Sequence, residues 1–116
     1  MATMNLDGPY RLSFDAVSAV VRSQVSGVFA LGYGAAGDVF YVNYIGRSDA
    51  DLRARLLEFI GSDVAFKFRP TLTPKEAFLR ECELFHAFRP PGNRVHPSRP
   101  SLSDWQCPRC RLLEGH

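Results

Sequence analysis

A chain of 116 residues and 13.0 kDa has room for one domain and no second sizeable core. With 46% hydrophobic and 22% charged residues it is neither disordered nor collagen-like, and a formal charge of +2 is only mildly basic. An odd count of three cysteines argues against a closed disulfide framework, and three cysteines with one histidine make a complete zinc ligand set.

The segment from Met1 to Pro9 is polar, without the basic and apolar regions of a secretory leader, and no apolar run approaches the roughly 18 residues of a membrane helix. These features predict a cytoplasmic chain with no membrane partner, where cysteines stay reduced and tend to mean metal or chemistry. Leu12 to Val21 reads as a short helix capped by Ser13, with Phe14, Val17, Val20 and Val21 on one face. Val28 to Leu31 reads as a buried strand, Gly32, Gly34 and Gly37 as a turn closing at Asp38, and Val39 to Ile45 as a second strand pairing with the first in a hairpin.

Ser48 or Asp49 is the expected cap of the next helix, whose apolar stripe is Leu52, Leu56, Leu57 and Ile60 and whose C′ stop is Gly61. Val64, Phe66 and Phe68 alternate with Lys67, which predicts a third strand with one face toward water. Thr73-Pro74-Lys75-Glu76 is a capping box with proline at the first helical position, and Pro90-Pro91 should end that helix near Phe88. The Pro-rich stretch after it lacks regular patterning and needs something to pin it.

Twelve of the fourteen basic residues are arginine, the side chain that forks onto phosphate and carboxylate. Between His86 and Leu113 stand five of them (Arg89, Arg94, Arg99, Arg109, Arg111) and one acid, Asp104. A solvated tail and a surface facing nucleic acid both fit that bias.

Cys107-Pro108-Arg109-Cys110 is a C-x2-C knuckle, and Cys82 and His86 share a helix face at i and i+4. Together Cys82, His86, Cys107 and Cys110 form a Cys3His set suited to a structural zinc that would fasten the tail to the last helix. His96 and His116 are rival ligands; the plain alternative is a buried Cys82 beside a surface His86. Glu81 falls in an apolar stripe with Ala77, Leu84 and Phe88, either on a solvated face or in a cleft binding a hard cation such as Mg²⁺. Tyr44, Arg47, Arg53 and Arg55 are ordinary surface groups taken singly, but a phosphate site if they converge with a carboxylate.

Several motifs in order resemble the GIY-YIG nuclease domain: Gly27-Val28-Phe29, then Tyr44-Ile45-Gly46-Arg47-Ser48, then Asp51-Leu52-Arg53-Ala54-Arg55, then Glu76-Ala77-Phe78-Leu79-Arg80-Glu81, and Pro90 to Asn93. The resemblance covers about residues 27–93, most of the chain, with the tail from residue 90 to 116 attached through the zinc site. It implies an α+β fold, a small three-stranded antiparallel sheet flanked by helices. It implies phosphodiester hydrolysis with one divalent metal (Mg²⁺ or Mn²⁺) on Glu81, with Arg55 at the phosphate, Tyr44 near the attacking water, Arg47 as a further basic group and Asn93 closing the site. The substrate so implied is nucleic acid, most naturally DNA. With no separate DNA-binding domain in this chain, a partner protein or the Arg-bearing tail would supply target specificity. The sequence departs from the family at Phe29, where the first motif has tyrosine, and in a longer stretch between the first two motifs. An alternative is therefore a binding module that keeps the fold and a structural zinc without the catalysis.

Overall fold

The computed structural model describes residues 5–35, 39–93, 96–98 and 103–109. The expected turn at Gly37 and Asp38, the expected ligand Cys110, His116 as a rival of His86, and Arg94, Arg99 and Arg111 lie outside them. Along the described residues run β1 (Asp7–Arg11), α1 (Phe14–Val20), β2 (Ser26–Ala35), β3 (Val39–Ser48), α2 (Leu52–Leu57), β4 (Ala65–Thr71) and α3 (Pro74–Phe88). The fold is α+β. Its sheet has four antiparallel strands in the order β1-β4-β2-β3, not the three expected.

The added strand, β1, pairs with β4 at the sheet edge. Its sequence, Asp7-Gly8-Pro9-Tyr10-Arg11, carries the Gly and Pro of a loop, but an edge strand needs only one row of backbone partners and so tolerates Pro9. The core therefore extends N-terminal to Gly27. Leu12, Val17 and Val21 join Phe29, Leu31, Phe66 and Phe68 of the sheet and Leu52 and Leu56 of α2. The opposite sheet face buries Val28, Ala30 and Ile45 against Ala77 and Leu84 of α3. The sheet is thus sandwiched, with α1 and α2 on one face and α3 on the other. Lys67 of β4 lies over the ring of Phe40 at 5.2 Å, so the face of β4 expected toward water is partly covered.

The β2–β3 hairpin is longer than its apolar runs suggest. Gly32 and Gly34 are strand residues, with Gly32 opposite Val42 and Gly34 opposite Phe40. A β-bulge shifts the register between Leu31 and Gly32, and a Cβ on Gly32 would collide with the Tyr41 carbonyl. Glycine there permits the close backbone approach that a bulge needs.

Caps and helix ends depart from the expected places in readable ways. Ser13 caps α1 as expected, accepting from the Ala16 N–H at 3.2 Å, but Phe14 is exposed because Leu12 takes the core place at that end. Asp51 caps α2 by accepting from the Ala54 N–H at 3.1 Å, while Ser48 accepts instead from the Ala50 and Asp51 N–H groups just before it. The end of α2 tightens into i to i−3 bonds, Phe59 to Leu56 and Ile60 to Leu57, so the helix is over by Glu58. Gly61, with φ of 99°, serves the following turn, not the helix stop, and Ile60 is exposed. Val64 precedes β4 and is exposed as well.

The start of α3 is as the capping box requires, with the Glu76 N–H bonded to the Thr73 hydroxyl at 3.1 Å; the Glu76 carboxylate reaches one residue further and accepts from the Leu72 N–H at 3.0 Å. Arg89, at φ of 45°, closes the helix before Pro90. No helix of the described residues is long and apolar enough to cross a membrane.

Candidate active site and metal group

β3 is an edge strand, and the chain leaving α3 folds back along it. The Gly92 N–H donates to the Asn43 carbonyl at 2.7 Å. Asn93 then uses its side chain as if it were a peptide group: its Oδ1 accepts from the Ile45 N–H at 2.7 Å and its Nδ2 donates to the Ile45 carbonyl at 2.8 Å. This closes one side of a cleft of about 490 Å³ beside the C-terminal half of β3.

Tyr44, Arg47, Arg55, Glu81 and Asn93, the five residues singled out from sequence, all line this cleft. They come from β3, α2, α3 and the returning segment. Alternation along β3 divides them, because Tyr44 faces α2 and Arg47 faces α3, so the cleft wraps around the strand edge. The Tyr44 ring rests on Phe59, with centroids 5.2 Å apart, and on Phe29 at 6.3 Å. Gly46 makes that packing possible, since a Cβ there would lie 2.5 Å from Phe29 Cζ and 2.9 Å from Tyr44 Cε2. Phe29 itself is fully buried beneath them.

Glu81 sits on the buried side of α3, only 7% exposed, so the cleft alternative replaces the solvated face. Its Oε1 accepts from Arg47 Nη1 at 2.6 Å. Arg47 Nε donates in turn to Asp49 Oδ1 at 2.8 Å, and the guanidinium lies 5.1 Å from the centroid of Phe78. Arg47 thus bridges two carboxylates over an aromatic ring. Burial opposes its charge, but hydrogen bonds to Asp49 and Glu81, and their charges, prevail and hold Arg47 above the ordinary guanidinium value. For Glu81 burial prevails: despite Arg47, its carboxyl is held above the ordinary carboxylate range. Arg55 is half-exposed, paired with Glu58 at 2.7 Å and stacked over Phe59 at 4.9 Å. It retains an edge toward the cleft.

Asp49 was weighed from sequence only as a helix cap. Its position two residues after Arg47, just past the end of β3, is the available signal for its place in the cleft. His96, Pro97 and Ser98 form a further stretch of the wall.

Next to Glu81 on α3, Cys82 is fully buried, and with His96 and Cys107 it forms a group able to hold a metal ion, the three ligand atoms lying within 4.8 Å of one another. Cys82 and Cys107 are both thiols, and burial first, then the neighbouring Cys107, pushes the Cys82 thiol up. Phe78, Leu79 and Trp105 wall the group, with the Phe78 and Trp105 rings 5.8 Å apart. An ion pair of Arg109 with Glu83 at 3.3 Å also ties residues 103–109 to α3.

The histidine in the group is His96, the rival, in place of His86. His86 lies alongside, its ring centroid 5.2 Å from that of His96 and 5.4 Å from that of Phe85. Helical spacing does put His86 on the face of Cys82, but the chain folding back after Pro91 delivers His96 closer to the two sulfurs. His96 Nδ1 lies 2.7 Å from the Pro97 carbonyl. A carbonyl can only accept, so a hydrogen bond here is donated by Nδ1.

Compared with protein-family models, with curated proteins and with solved structures, the chain finds no match.

Proposed function

We propose that the chain is a divalent-metal-dependent endonuclease that hydrolyses phosphodiester bonds of nucleic acid, with DNA as substrate. The observation that carries this reading is the meeting of Tyr44, Arg47, Arg55, Glu81 and Asn93, from four parts of the chain, in one cleft. A scaffold with no chemistry has no need to gather two arginines, a tyrosine and a buried carboxylate at one strand edge.

Arg55 and Arg47 bind the phosphate and stabilise the charge that develops on its oxygens. Tyr44, held between Phe59 and the edge of β3, orients the attacking water through its hydroxyl. Asn93 keeps the returning segment on β3 and so fixes the cleft's width; both ends of its amide are engaged with Ile45, which makes it a positioning residue. The donor set fits a hard cation: Glu81 is a buried carboxylate paired with the Arg47 guanidinium, and Asp49 offers a second carboxylate across Arg47. A Mg²⁺ or Mn²⁺ ion bound there would supply charge neutralisation at the phosphate. The Cys and His group beside it, with soft ligands and apolar walls, suits a structural zinc.

A second reading, a nucleic-acid-binding module without catalysis, is favoured by two observations. Phe29 places no hydroxyl where the resembled family has one, and Arg47 occupies an oxygen of Glu81. A nicking assay on supercoiled plasmid with Mg²⁺ or Mn²⁺ separates the two. The nuclease reading expects nicking by the wild type that Glu81→Ala and Arg55→Ala abolish. Equal inactivity of wild type and Glu81→Ala, with salt-dependent plasmid binding retained, sinks it in favour of the binding module.

A further inference from the structure

The metal group and the cleft share one residue. His96 belongs to the Cys82–His96–Cys107 group and also lines the cleft. We infer that Cys82, His96 and Cys107 hold a zinc ion, and that this ion fixes the His96–Ser98 stretch as a wall of the cleft. The inference stands on the group's own geometry and does not require that the cleft cut nucleic acid.

Three observations carry it. The first is ligand chemistry: two sulfurs and an imidazole are a soft set that favours zinc over Mg²⁺ or Ca²⁺. Around a tetrahedral zinc, with bonds of about 2.0–2.3 Å, ligand atoms lie about 3.5–3.8 Å apart. The present spread, within 4.8 Å, closes to that by side-chain rotation of less than about an ångström at each ligand.

The second is the partner of His96. A zinc-bound imidazole characteristically donates its other ring N–H to a carbonyl or carboxylate, which sets the tautomer. The Nδ1–Pro97 contact at 2.7 Å is of this kind, and with it made Nε2 is the nitrogen left for the metal. His86 has ring neighbours on both sides, Phe85 and His96, and lies outside the group.

The third is mechanical. Cys82 is fixed on a fifteen-residue helix, and Cys107 is anchored by Trp105 on Phe78 and by Arg109 on Glu83. His96 to Ser98 belong to no helix or strand. A zinc ion joining the His96 imidazole to two anchored sulfurs would be the tether that holds His96 to Ser98 in place.

The test uses the full chain. Loaded with zinc and passed through a desalting column, the wild type should retain about one ion per chain by elemental analysis, as a structural site does. His96→Ala should weaken zinc binding by more than about 100-fold, beyond the range for loss of a mere outer partner, and His86→Ala by less than about tenfold. Because Cys82→Ser risks the fold, Cys107→Ser is the sulfur variant, and it should lose the thiolate-to-metal absorption that cobalt(II) shows in the wild type. Chelation should red-shift the emission of Trp105, the only tryptophan in the chain. It should also raise hydrogen exchange in the peptide spanning residues 92–98 while β2 and β4 stay protected. A wild type that holds no zinc, or equal losses in the His86 and His96 variants, overturns the ligand assignment. Zinc release that leaves exchange at residues 92–98 unchanged overturns the coupling to the cleft.

Discussion

The side chain of Asn93 engages both main-chain groups of Ile45, accepting from its N–H and donating to its carbonyl, 48 residues away along the chain. An edge strand normally leaves such groups to solvent or to another chain. Here a side-chain amide serves in place of a fifth strand. Asn93→Ala leaves the N–H of a fully buried residue without its partner, and we expect a loss of about 1–3 kcal/mol in chemical unfolding. Amide exchange at Ile45 should rise with it. Exchange at Ala30, which faces Ile45 from β2, should change far less.

Arg47 and Glu81 give the sharpest electrostatic prediction. Both side chains are about 90% withdrawn from water, 11% and 9% exposed. Arg47→Ala strands a buried carboxylate and should cost roughly 3–5 kcal/mol. The double variant Arg47→Ala/Glu81→Gln removes that charge and should recover a large part of the loss. Full additivity of the two single variants in urea unfolding would show that they do not act as a pair.

Glu81 also sets a pH dependence. Burial raises its carboxyl above the ordinary value, so the folded chain holds that proton more tightly than the unfolded chain. The resulting stability is fully present below the unfolded carboxylate's pKa and is lost as pH rises through the folded one. The difference in stability between wild type and Glu81→Gln should therefore drift against the wild type as pH rises from acid toward neutral. Unfolding midpoints across that range check the sign, and a drift the other way would mean that Arg47 outweighs burial.

Gly46→Ala tests the packing behind Tyr44. A methyl group there meets Phe29 at 2.5 Å and Tyr44 at 2.9 Å, rings that have little room to retreat. Overpacking of this kind costs about 1–3 kcal/mol. If the cleft nicks DNA, the displaced Tyr44 should lower the rate in the same variant, even at temperatures where it remains folded by circular dichroism.

Much of this architecture was legible because it was written locally. Thr73-Pro74-Lys75-Glu76 starts α3 through short-range hydrogen bonds, and Pro90 ends it through sterics, so both ends could be read from neighbours alone. The five cleft residues came from ordered motifs, four of them set on a recognisable strand or helix and Asn93 just past the end of α3. What stayed hidden depended on partners far along the chain. β1 is a strand only because β4 accepts it at an edge, and its Gly8-Pro9 says loop to any local rule. Gly32 and Gly34 look like a turn until Val42 and Phe40 lie opposite them. His96 overtakes His86 because the chain reverses after Pro91, a fact no i, i+4 spacing contains.

Glu81 and Cys82 are consecutive residues, one lining the cleft and the other in the metal group. On an α-helix consecutive positions differ by about 100°, enough to serve two neighbouring sites from one buried face. Inserting or deleting a single residue in α3 ahead of Glu81 would swing the carboxylate and the thiol away together. The length of α3 from Pro74 to Glu81 is therefore a constraint that both sites impose at once. Substitutions can tune either site alone, whereas a frame shift of the helix would forfeit both.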